Sequence, residues 1–266
     1  MLEPLPTVAK RHRPESPYAQ HLPAGAALGW LGAGWRDLRT DPVPSLIYGL
    51  VLTLISYLVL YVFYRTNLLY LALPAISGFL IIGPFFAIGL YEKTRRQAEG
   101  ERATIFDMIA VRPASGAQLA FAGLLLCLLI LFWIRAADLL YALFFGLHPF
   151  PGAGDALSNV FTTFRGWGLI VTGTLVGGLF AAFAFAISVF SVPMLLSRRM
   201  DALTAMGTSF AMTVQNLAPM LLWGAIVTAG LMISAVTLLI GLIVIFPVLG
   251  HGTWHAYRAI MPDDPE

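Results

Sequence analysis

Charge is what this chain has least of. Only 11% of its 266 residues are Asp, Glu, Lys or Arg, against about 25% in an ordinary soluble domain. With 58% hydrophobic residues and a mean hydropathy of +0.80, a soluble core of this size cannot hide the apolar surface. Lipid must be the solvent for most of it. Cysteine is almost missing too. The single Cys127 excludes an intrachain disulfide and a cysteine-based zinc site. A net charge of +2 is too small to argue for nucleic acid as a partner. No Gly-x-Ser-x-Gly, His-Glu-x-x-His, P-loop or dinucleotide motif occurs, and the segments between apolar runs are too short for a soluble catalytic domain. The chain is therefore expected not to be an enzyme and to need no cofactor. No apolar signal-peptide core follows the start either. Residues 1–23 are polar and proline-rich, and read as an extended cytosolic tail. Residues 24–260 read as an integral membrane domain, and 261–266 as an acidic C-terminal tail.

What is present is long apolar runs. Three of them pass through a proline and end in arginine: Pro84 to Arg95-Arg96, Pro193 to Arg198-Arg199, and Pro247 to Arg258. Each reads as a membrane helix, kinked at its proline, that returns to one common side. The outward helices are expected over 45–64, from 117, and from about 211. The return helices are expected over 68–91, 166–196 and 235–257. Residues 45–64 alone give 20 uncharged positions, the ~20 needed to cross a ~30 Å hydrocarbon core. The last apolar block, 217–250, is 34 residues long. As one straight helix it would measure about 50 Å, so a turn is expected near 230–234. Amphipathic surface helices are expected at 24–40, 104–111 and 201–215; in the first, Leu28, Leu31, Trp35 and Leu38 make the apolar face.

Surface helix, outward helix and proline-bearing return helix thus occur three times. The fold class is an all-α polytopic helical membrane protein. It has about six transmembrane helices in three pseudo-repeated hairpins with amphipathic surface helices, or five if the last block does not turn. With the N-terminus inside, thirteen of the sixteen Lys and Arg residues fall on the cytosolic side, leaving Arg65, Arg135 and Arg165 outside. Both termini are then cytosolic.

Few residues offer chemistry. His251 and His255 stand at i,i+4 and share a helical face, which makes them the weak candidates for metal or haem iron. Against that, His, Trp254, Tyr257 and Arg258 are residues expected at a membrane boundary. Arg135 and Asp138 are one turn apart, an intramembrane ion pair that the preceding 18 apolar residues place near the outer boundary. Arg95, Arg96, Arg198, Arg199 and Arg258 are candidate contacts for anionic headgroups or an interface. Gly173 and Gly177 have the small-xxx-small spacing of helix packing.

Several strings together resemble one bacterial family of predicted integral membrane proteins with a domain of unknown function. They are Gly34-Trp35-Arg36-Asp37, Pro44-Ser45-Leu46-Ile47-Tyr48-Gly49, the run from Gly83-Pro84-Phe85 to Tyr91-Glu92 with Arg95-Arg96, Asp201 to Met206, and Phe246-Pro247 with Gly250-His251-Gly252-Thr253-Trp254-His255. The resemblance covers about 24–260. It implies a multi-pass protein of the bacterial inner membrane with no agreed activity. Some members carry a label resembling cytochrome c oxidase subunit I. This chain lacks the several His-bearing helices that two haems and a copper require, so the label implies respiratory company at most. Besides haem or metal binding through His251 and His255, two functions are expected in turn. The first is a non-catalytic accessory or structural subunit of a larger membrane complex, with membrane lipids and other membrane subunits as partners. The second is a small-solute or lipid transporter or lipid-binding protein.

Overall fold

A computed structural model describes residues 17–66, 72–146 and 161–261. Most of the N-terminal tail, residues 262–266 of the C-terminal tail, the first positions expected of the second helix (68–71) and the segment 147–160 lie outside the described residues. The described chain forms eleven helices: α1 Ala26–Thr40, α2 Pro42–Arg65, α3 Ala72–Phe86, α4 Ile88–Ala98, α5 Ile105–Ile109, α6 Gly116–Phe145, α7 Phe164–Ser188, α8 Ser191–Ser197, α9 Ala202–Gln215, α10 Leu217–Val236 and α11 Leu242–Ile260.

The order repeats three times. A short helix (α1, α5 or α9) precedes a long one (α2, α6 or α10), and a proline-bearing return follows: α3–α4 with Pro84, α7–α8 with Pro193, and α11 with Pro247. In the first two returns the helix is interrupted within a few residues of the proline, at Ala87 and at Val189–Phe190. Proline cannot donate to the carbonyl four residues earlier, which weakens the helix locally. At Pro247 the freed carbonyl is that of Ile243, and α11 continues unbroken. There Gly49 of α2 comes so close that a Cβ would overlap the Ile243 oxygen. The two backbones can touch because position 49 carries no side chain.

Local signals set the starts. Pro42 occupies the first turn of α2, where its missing N–H costs nothing, so α2 starts directly after Asp41. Thr104 and Asp107 form a reciprocal capping box on α5. The Asp201 carboxylate accepts from Thr204 N at 2.8 Å and starts α9.

The last apolar block does turn, but at 237–241 rather than near 230–234. The turn is built from apolar residues, with Leu238 and Leu239 at φ 52° and 68°. Its polar groups find partners nonetheless. Leu239 N donates to Ser234 O at 2.6 Å, Gly241 N donates to Thr237 Oγ1 at 3.1 Å, and the Tyr57 hydroxyl of α2 donates to Leu238 O. The block is therefore two helices, α10 and α11, as the hairpin reading expects.

Four stretches among the described residues are long and apolar enough to cross a membrane: Pro42–Arg65, Gly116–Phe145, Phe164–Ser197 and Leu217–Val236. Two of the six expected crossings fall short on that measure. The described α3–α4 return starts at Ala72 and meets charge at Glu92 and Lys93. The second half of α11 is polar, and its Gly250, His251, Gly252, Thr253 and Trp254 are all buried in protein. Helix α11 is the hub, packed by α1, α2, α4 and α10.

The expected surface helix α1 is one of its main partners. It buries Ala27, Trp30, Ala33, Gly34 and Leu38, whereas Leu28 and Trp35 of the expected apolar face are exposed. The correction has a steric cause. Gly34 crosses Gly252 so closely that a Cβ at 34 would lie 2.7 Å from Gly252 N, and this crossing sets the inward face. Trp223 of α10 is fully buried beside it, edge-on to Trp30 with ring centroids 6.0 Å apart. The described part of the N-terminal tail is docked as well: Asn216 Nδ2 donates to Tyr18 O at 2.7 Å.

Candidate functional site

The arginine-bearing helix ends gather at one face of the molecule, and a buried polar cluster lies just beneath it. Lys93 of α4 has no exposed surface. Its ammonium donates to the Asp41 carbonyl and, at 2.7 Å, to Ser45 Oγ. Ser45 Oγ lies 2.9 Å from His251 Nε2, and His251 Nδ1 lies 2.6 Å from Thr94 Oγ1. Thr94 Oγ1 also donates to Leu90 O at 3.1 Å. These bonds fix one direction. An ammonium only donates, so the Ser45 hydroxyl proton is left for Nε2, and Thr94, whose proton goes to Leu90, accepts from Nδ1–H. The tautomer assigned by the network is a neutral imidazole protonated at Nδ1. Every polar atom of the relay is satisfied, which is what burial demands.

Around the relay stand further polar and charged pairs. Asp37 Oδ2 of α1 and His255 Nε2 of α11 are 2.7 Å apart. Glu92, with a side chain 5% exposed, accepts from Arg95 at 2.8 and 3.0 Å and from Arg96 at 2.9 Å. Arg96 also lies 3.4 Å from Asp107 of α5. Burial pushes the Glu92 carboxyl up, but the two guanidiniums outweigh it and hold it below the usual range. Burial pulls the Lys93 ammonium below the ordinary lysine range, and the Asp41 and Asp37 carboxylates restore part of the loss.

This chemistry holds helices together. Ser45, Lys93, Thr94 and His251 are all buried, and none lines either of the two cavities described below. Both nitrogens of His251 are engaged by hydroxyls, so a metal ion at either would have to displace its hydrogen bond. His255 turns to Asp37. Among the described residues no group of three or more His, Cys, Asp or Glu side chains is placed to hold a metal ion.

The other predicted residues fall as follows. Trp254 and Tyr257, expected at a headgroup boundary, are 4% and 1% exposed. They pack inward, Trp254 on Tyr91 and Tyr257 against Phe190. Arg95 and Arg96 are committed to Glu92. Arg199 is exposed; Arg198 is half-buried and follows the end of α8; Arg258 lies in the last turn of α11. Arg135 and Asp138 do pair, at 3.1 Å, on an exposed face of α6. Gly177 receives the Trp133 ring of α6, which a Cβ would meet at 2.8 Å, while Gly173 faces open space.

Lys93, Ser45 and Thr94 escaped the sequence reading. The available signal was a lone lysine among arginines in a segment otherwise suited to solvent.

Two apolar cavities that share lining residues open beside α2. The lower one, about 490 Å³, lies between α2, α3–α4, α5 and the start of α6, from Val111 and Pro113 up to Ile55 and Phe86. The upper one, about 440 Å³, continues between α2, α3, α6 and the α10–α11 hairpin. Leu52, Ile55 and Phe86 line both. The only hydroxyls in the upper cavity, Ser56 and Ser234, donate to Leu52 O and Gly230 O of their own helices at 2.9 Å. Its wall therefore presents hydrocarbon and no free polar group.

Four spanning stretches, helices arranged in a threefold order and an arginine-rich face define a polytopic α-helical membrane protein. Residues 72–197 match the model of a family described as predicted integral membrane protein (DUF2189). Across that segment the family resemblance drawn from the sequence is shown; the family description assigns no activity. No curated protein and no solved structure matches the chain.

Proposed function

We propose that this protein is a non-catalytic lipid-binding protein of the bacterial inner membrane, with its arginine-rich face toward the cytosol. Its task is to hold a hydrocarbon chain between its spanning helices. The observation that carries the reading is the upper cavity, whose two serines are satisfied within their own helices. A hydrated solute would lose its water there and find no partner, at a cost of several kcal/mol per polar group. A lipid chain loses nothing. The closed relay beneath the arginine-rich face is scaffolding for this arrangement.

Native mass spectrometry on protein extracted in mild detergent tests the reading. The wild type should retain one lipid, and Ile55→Trp, which fills the passage shared by both cavities, should lose it. Equal retention by a folded Ile55→Trp protein would sink the proposal.

A second reading, an accessory subunit of a larger membrane complex, is favoured by one specific observation. Gly173 and Gly178 of α7 meet nothing within 4 Å, leaving a low spot where another helix can approach. Co-purification in the same detergent tests it; a lone monomer with no accompanying protein would count against it.

A further inference from the structure

We propose that the lipid held in the cavities is an anionic phospholipid, with its phosphate on Arg112 and one acyl chain running up the groove along α2. The proposal rests on the lipid-binding reading above and names its ligand. The groove follows one helical face, with Tyr48, Val51, Ile55, Val59 and Phe63 at intervals of three and four residues. From Tyr48 to Phe63 the rise is about 22 Å. That exceeds the ~15 Å depth of one leaflet, so a full acyl chain has room.

No charged residue lines either cavity. At the lower rim, however, Val111 and Pro113 flank Arg112, which is exposed. Arg112 lies in the connection between α5 and α6, and among the described residues no carboxylate pairs with it. Of the arginines first expected to meet headgroups, Arg95 and Arg96 both hold Glu92. A hydrocarbon groove with a single unneutralised cation at one mouth is complementary to an amphiphile with an anionic end. An acidic peptide would instead need backbone partners along the walls, and the upper cavity has none.

The experiment uses the full chain, purified and stripped of lipid, then offered phosphatidylglycerol and phosphatidylcholine of the same acyl composition. Bound lipid is read by native mass spectrometry. The wild type should prefer phosphatidylglycerol. Arg112→Gln should still bind lipid but lose about fivefold of that preference, the scale of one basic residue at an anionic surface, and Arg112→Lys should restore most of it. If Arg112→Gln keeps the wild-type preference while Ile55→Trp loses lipid, the headgroup assignment is overturned and the cavity reading stands. If Ile55→Trp, and Val51→Trp in the lower cavity, both fold and bind lipid as the wild type does, both ideas fall. Binding with no preference in the wild type overturns the headgroup assignment.

Discussion

Lys93 is one of two lysines in the chain, with Lys10 in the tail as the other, so an alkaline titration of stability reads it with little interference. Burial lowers its pKa in the folded protein, while the unfolded chain keeps the ordinary value near ~10.4. Between those two values the unfolded state binds more protons than the folded one, and stability therefore rises with pH in that window. The expected result is a midpoint of thermal unfolding, in mild detergent, that climbs as pH rises through that window toward ~10.4. Lys93→Met removes the cation and should flatten that climb. A Lys93→Met protein with the same alkaline rise would show that the ammonium is not the source. The site places its cation at the positive end of α2, and only the Asp41 carbonyl, Ser45 and the nearby Asp37 and Asp41 carboxylates make that tolerable.

At the level of elements, the helices around α11 are positioned by glycines that meet backbone. A Cβ at Gly34 would stand 2.7 Å from Gly252 N, and neither chain can yield without moving a helix. Gly34→Ala should cost about 1–3 kcal/mol, the range for an overpacked core, and lower the unfolding midpoint accordingly. Gly173→Ala meets nothing and should be neutral or slightly stabilising, since alanine favours a helix interior by up to ~1 kcal/mol. Comparable loss in both would refute the close-crossing account.

These crossings also mark where the sequence stopped being legible. Length, proline and arginine spacing sufficed for the threefold order of helices, because each is a local or bulk property. The inward face of α1 was not readable, because Leu28 and Trp35 look more apolar than Gly34. Hydrophobic periodicity ranks side chains, whereas this contact selects for having none. The turn at Leu238–Leu239 was equally hidden: its polar groups are satisfied by Thr237, Ser234 and a distant Tyr57, and no turn residue announces it. The His251 and His255 pair was visible at once, but its partners Ser45, Thr94 and Asp37 come from other helices, so its structural role appeared only in three dimensions.

For the whole molecule the decisive property is orientation. The helix ends that carry Arg95, Arg96, Arg198, Arg199 and Arg258 share one face, and under the orientation proposed above that face meets the cytosol, as the positive-inside bias favours. The far ends of α6 and α7 then lie on the opposite side. Cys127, the chain's one cysteine, is exposed on α6 well inside the spanning stretch, where a water-soluble reagent does not reach. In a Cys127→Ala background, Glu99→Cys sits after α4 on the arginine-rich face, and Phe161→Cys sits just before α7 at the other end. A membrane-impermeant maleimide applied to intact spheroplasts should label position 161 and spare 99. Inverted membrane vesicles should give the reverse. Labelling of 99 from outside would turn the molecule over, and Arg112 with its groove would then face the outer leaflet. The lipid partner would have to be sought there, which makes this orientation the condition on which an inner-leaflet anionic lipid depends.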